Sequence, residues 1–130
     1  MTIGEAIRRV DEQKPNNISR SAKVAWLNEV DWAIYRELVR THEGGEGKDF
    51  NGYGENVQDS ELLLATCPYD RMYVEYLAAN IDLQNNEYDF YQNDMAAYNS
   101  TYTEYAKYYN RMVRPLPGPA LKAASWEGMR

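Results

Sequence analysis

Three places in this 130-residue chain have residue types that could do chemistry: His42, Cys67 and the run Asp49-Phe50-Asn51-Gly52-Tyr53-Gly54. His42 is the only histidine and falls where a helical pattern ends. An imidazole there complements the negative end of the helix dipole, so it reads as a cap and not as a general base. Cys67 is the only cysteine, which excludes an internal disulfide and a CxxC motif. With Pro68 beside it and no base partner in sequence, it reads as a small packed hydrophobe. The run from Asp49 begins like a calcium loop, but Tyr53 stands where the third ligand belongs and Ser60 where a bidentate glutamate belongs. The phosphate-binding glycine motifs and HExxH are absent. Glu75, Asp82, Glu87, Asp89, Asp94 and Glu104 read as a solvated face, since a di-iron bundle would need histidines this chain lacks. The sequence therefore assigns no catalytic residue, no metal and no cofactor.

The elements that carry these residues are helices, and the clearest is a ladder near the C-terminal end. Tyr88, Tyr91, Met95, Tyr98, Tyr102, Tyr105, Tyr109 and Met112 alternate in steps of three and four, placing one large side chain per turn on a single stripe. Tyrosine in place of leucine brings a hydroxyl that needs water or a partner, which predicts a seam left partly exposed or shared with another subunit. Tyr91, Tyr98, Tyr102, Tyr105 and Tyr109 are the candidate seam residues.

The ladder keeps its phase backward through Ile81, Leu77 and Val74, so one helix from about residue 69 to 113 is conceivable. Asn85-Asn86, followed by Glu87 and Asp89, argues instead for a stop and a new acidic first turn. The expectation is two helices packed as an antiparallel pair against a preceding one. Upstream, Thr2-Ile3-Gly4-Glu5 has the form of a capping box, and Pro15 ends that first helix at Lys14. Ser19 caps a second helix with Val24, Leu27, Ile34 and Leu38 on one face, expected to reach His42. Trp26, Val30 and Ala33 make a second apolar strip on it. Pro68 and Asp70 suit the first turn of the third helix. Leu62-Leu63-Leu64 fits either an extended segment or a single helical turn.

Five glycines between Glu43 and Gln58 predict a long mobile loop, with Phe50 and Tyr53 as apolar anchors that solvent alone does not favour. After Arg114, Pro115-Leu116-Pro117-Gly118-Pro119 favours an extended, polyproline-like path leading to Leu121 and Trp126. A stiff spacer ending in a lone tryptophan suits an arm that docks on a partner. The fold expected is all-α: one domain over residues 1–114, a small antiparallel bundle of about four helices with a loop at 43–58, then an arm at 115–130.

Fourteen Lys and Arg against 20 Asp and Glu give a net charge of -6, which argues against a surface built to hold nucleic-acid phosphates. No run of 18 or more apolar residues and no apolar signal core occur in the sequence, so neither membrane insertion nor export is expected. The Asn17-Ile18-Ser19 and Asn99-Ser100-Thr101 sequons are accordingly helix-start and helix-surface chemistry.

Taken together, Thr2-Ile3-Gly4-Glu5-Ala6-Ile7, the Lys14-Pro15-Asn16 turn, the Trp26-Leu27 helix through His42-Glu43, Pro68-Tyr69-Asp70, and Ile81-Asp82-Leu83 through Asn86-Glu87-Tyr88 resemble small head-to-tail adaptor (connector) proteins of tailed phages and prophages of Gram-positive bacteria. The resemblance covers roughly residues 2 to 114. It implies a non-enzymatic virion protein of the neck between capsid and tail, made in the host cytoplasm: a helical subunit in a ring, typically a dodecamer. Such a ring docks on the portal protein, leads to a stopper or tail completion protein, and lets DNA pass through its lumen. By position, Pro115, Leu116, Pro117, Pro119, Leu121 and Trp126 would form the portal-binding arm. Asp49, Phe50, Asn51 and Tyr53 would contact the next ring. The reading from another class is a small intracellular helical regulator that binds one protein partner without forming a ring.

Overall fold

The computed structural model describes residues 1–117. Four α-helices carry the chain: α1 (Ile3–Gln13), α2 (Arg20–Ile34), α3 (Arg71–Gln84) and α4 (Tyr88–Met112). No strand is formed among the described residues, and none of their helices is long and apolar enough to cross a membrane. The architecture is the expected small all-α bundle.

Local chemistry explains the boundaries. Thr2 and Glu5 form the capping box: the Glu5 N–H donates to Thr2 Oγ1 and the Thr2 N–H to Glu5 Oε1, both at 3.1 Å. Ser19 Oγ accepts from the Ala22 N–H at 3.2 Å and starts α2. Asn86 adopts a left-handed backbone (φ 59°), so the chain reverses there, as the paired asparagines suggested. The Asn85 and Glu87 N–H groups cap α3 by donating to the Ile81 and Asp82 carbonyls at 3.0 and 2.9 Å.

Two boundaries differ from expectation. The second helix does not run as an α-helix to His42. After Ile34 it widens into a π-turn over Tyr35–Val39, closed by the Arg40 N–H on the Tyr35 carbonyl at 2.9 Å. Side chains then take the carbonyls an α-helix would leave bare, Thr41 Oγ1 donating to Glu37 O at 2.7 Å. The third helix begins after Pro68, with Asp70 at its N-cap position. That carboxylate makes no cap bond and instead lies 3.4 Å from the N-terminal amine of Met1.

The core is built by Ile3, Ala6 and Val10 of α1, Val24, Leu27, Val30 and Ile34 of α2, and Met72, Tyr73, Leu77 and Ile81 of α3. α3 packs on α1, α2 and α4, and so forms the spine. α4 forms a hairpin with α3 and contributes only Tyr105 to the buried core. The three leucines take the extended option: the Ile3 N–H donates to Glu61 O and the Leu63 N–H to Met1 O, both at 3.0 Å, burying Leu63 and exposing Leu62.

Candidate functional site

The Glu43–Gln58 loop lies on the bundle instead of hanging from it. Phe50 sits 5.0 Å from Trp32, 6.0 Å from Tyr35 and 5.3 Å from Tyr53, ring centre to ring centre. Asn28 Oδ1 accepts the Tyr53 N–H at 2.9 Å. Two glycines permit this close approach. Gly52 has φ +78°, and a side-chain carbon on it would fall 2.8 Å from Asn28 Oδ1. A carbon on Gly45 would fall 1.7 Å from the Val39 carbonyl oxygen. Phe50 and Tyr53, the expected apolar anchors, hold this loop to α2 through aromatic contacts and a backbone hydrogen bond. Asp49 and Asn51 are exposed, whereas Phe50 and Tyr53 are half-buried against α2.

Beneath the loop lies a polar centre that no sequence motif marked. Asp31, fully buried in α2, accepts from the Tyr73 hydroxyl at 2.6 Å, from the Leu64 N–H at 3.1 Å and from the Tyr53 hydroxyl. Tyr73 in turn accepts the Ala65 N–H at 2.7 Å. One carboxylate thus joins α2, α3, the loop and the segment before α3. Burial pushes the Asp31 carboxyl above its ordinary range, against the pull of its three donors. It pushes both phenols far up as well, with the Asp31 charge adding to the effect, so they stay protonated donors.

A second centre gathers carboxylates that the sequence suggested were merely solvated. Lys14 Nζ at the end of α1 lies 2.9 Å from Asp82 Oδ1 and 3.4 Å from Asp94 Oδ2. Asp82 is 1% exposed, and its Oδ2 has no hydrogen-bond partner. Partial burial first, and then the neighbouring Asp82, push the Asp94 carboxyl up to about 6, against the pull of Lys14. The α3–α4 hairpin brings this pair together just as it brings Tyr98 beside Tyr76 and Tyr105 beside Tyr69. Cys67, expected to be packed, is exposed.

The ladder tyrosines are distributed unevenly. Tyr105 is 3% exposed, Tyr91, Tyr98, Tyr102 and Tyr109 are half-buried, and Tyr88 is 57% exposed. Phe90 is 56% exposed, although Lys14 Nζ stands 5.1 Å from its ring centre. Toward the other end of α4, Tyr109 meets the His42 ring edge-on at 4.8 Å. His42 itself is buried, with Nδ1 2.6 Å from the Leu38 carbonyl and Nε2 2.6 Å from the Asn110 side chain. It caps the turn as expected, and it also ties that turn to α4.

The root of the arm is fixed at the same place. The Glu43 N–H donates to Arg114 O at 2.9 Å and the Leu116 N–H to Thr41 O at 2.8 Å, bracketing a bridge between His42 and Pro115. Pro115 and Pro117 are exposed and Leu116 is half-buried. Pro119, Leu121 and Trp126 lie outside the described residues.

Comparison of the chain with protein-family models, curated proteins and solved structures finds no match. The functional reading therefore rests on the molecule itself. The arm root, the last ladder tyrosine and the start of the loop converge at His42, while Asp49 and Asn51 are exposed. Asp31 and Asp82 could have been suspected from sequence as single acids among the apolar residues of their helices. Their partners could not, because Tyr53, Tyr73 and Lys14 come from other elements.

Proposed function

We propose that this chain is a structural subunit of the phage neck: a head-to-tail adaptor that assembles side by side into a ring on the portal protein and leads to a stopper or tail completion protein. The observation that carries this reading is the half-covered ladder of α4. Only one of its six tyrosines is fully buried within the chain, and Tyr88 and Phe90 leave more than half of their surface to solvent at the α3–α4 end. Large aromatic rings left in this state along one helix suit lateral contact with a neighbour, since Tyr combines an apolar ring with a polar tip. The resemblance of the residue pattern to phage adaptors supports the same reading, as does the net charge of -6, which would let DNA pass without adhering.

The arm beginning at Pro115 is anchored at its root to the Thr41–Glu43 turn, so a partner held by the arm would be fixed relative to the bundle. The test is to mix the full chain, and a variant ending at Arg114, with the portal and follow co-sedimentation. The full chain is expected to sediment with portal and the shortened one to stay behind. Equal binding by both would remove the arm from the interface, and binding by neither would overturn the portal assignment.

A further inference from the structure

Between α2 and α4 runs a groove that neither helix closes. α4 packs closely on α3 and not on α2, and tyrosines of α3 and α4 reach toward α2 and its π-turn. Tyr76 of α3 donates its hydroxyl to Glu29 Oε1 at 2.6 Å, and Tyr102 of α4 donates to Glu37 Oε1 at 2.5 Å. The rings of Tyr76, Tyr98 and Tyr102 follow one another at 4.8 and 6.0 Å, making a half-exposed aromatic ledge. Beside it opens a cleft of about 370 Å³ reaching Ala33, Asn99 and Thr103. Both glutamates are exposed, and among the described residues neither makes an ion pair with a lysine, an arginine or the N-terminus. Along α4 the facing stretch from Met95 to Thr103 carries no charge, so the groove has two negative edges on one wall and no cation on the other. The Tyr98 phenol registers that field: burial first, and then Glu37, Asp31 and Glu29, push it up to about 12.

We propose that this groove receives arginine side chains from a basic segment of a partner protein. A guanidinium is flat and permanently charged. It can lie on the tyrosine faces while its N–H groups donate to the carboxylate oxygens that the tyrosine hydroxyls leave free. A lysine ammonium offers the charge without the stacking. With a net charge of -6, a second copy is a poor source of such a cationic segment, so the occupant is a different protein, and the ring contact proposed above falls to the exposed Tyr88 and Phe90 end of the ladder.

The probe is the peptide acetyl-Ala-Arg-Ala-Arg-Ala-amide, with the matching lysine and citrulline peptides, titrated into the full chain while the tyrosine ring signals are followed by NMR. The arginine peptide is expected to shift the Tyr76, Tyr98 and Tyr102 signals, the lysine peptide to bind more weakly, and the uncharged citrulline peptide to leave them unmoved. The double variant Glu29→Gln, Glu37→Gln should weaken arginine binding by about tenfold or more, the loss expected for charge-assisted bonds. Tyr102→Phe, which keeps the ring, should still bind. Three results would overturn the proposal: equal binding of the citrulline peptide, shifts that the double variant leaves unchanged, or groove signals that move with protein concentration alone and so report a second copy. The peptide result is independent of whether the chain is found in virions.

Discussion

Asp31 and Asp82 are both buried acids near the middle or end of a core helix, and both hold distant segments together, yet they are satisfied in opposite ways. Asp31 is surrounded by neutral donors, two phenols and an amide, which occupy both of its oxygens. Asp82 has an ammonium on one oxygen, nothing on the other and a second carboxylate next to it. Buried anions are tolerated when their lone pairs are filled, and a half-filled ionic cluster is a local weak point. The Asp31 centre therefore fastens the glycine loop to the bundle, while the Lys14 centre closes the far end of the hairpin at some cost.

Removing Asp31 should break this contrast most sharply. Asp31→Ala strands two phenols and the Leu64 N–H in the interior, and should lower stability by about 3 kcal/mol or more, read by urea unfolding. A loss under about 1 kcal/mol would mean that water replaces the carboxylate. Next comes Tyr53→Phe, which keeps the ring against Phe50 but deletes one donor. It should cost about 1 kcal/mol, and faster hydrogen exchange should be confined to the 43–58 loop. Uniformly faster exchange would show that the Tyr53 bond is part of the global core and not a fastening of the loop alone.

The smallest effect belongs to the other centre and depends on pH. The Asp94 carboxyl is raised in the folded chain above its ordinary 3.8, to about 6. Between those values the folded protein holds a proton that the unfolded chain releases, so this group's contribution falls as pH rises through the window and is fully lost above about 6. Asp31 is shifted in the same direction, so the informative quantity is the difference between Asp94→Asn and the unaltered chain. That difference should grow in favour of the variant from about pH 4 to 6, reaching about 1 kcal/mol given the group's partial exposure. A difference independent of pH would show that Lys14 alone governs the cluster.

Much of the frame was legible in sequence because its determinants are local. The Thr2–Glu5 capping box, the Ser19 cap and the reversal at Asn85-Asn86 each depend on residues a few positions apart. The π-turn at Tyr35–Val39 was not legible, since it is set by how Thr41 and His42 bind the last carbonyls and by the tie from His42 to Asn110. Nor was the convergence of Lys14, Asp82 and Asp94, which exists only once α1 meets the hairpin. The tyrosine groove falls between these cases. The stripe of α4 could be read from its spacing, but the carboxylates that receive Tyr76 and Tyr102 come from the preceding helix and its π-turn.

The central claim is that the chain is a structural part of the phage neck, and electron microscopy of tailed particles labelled with antibody to this chain tests it most directly. Label concentrated at the junction of capsid and tail is the result expected. Purified particles that carry no label, from cells that contain the protein, would contradict the claim and favour a regulator left behind in the host.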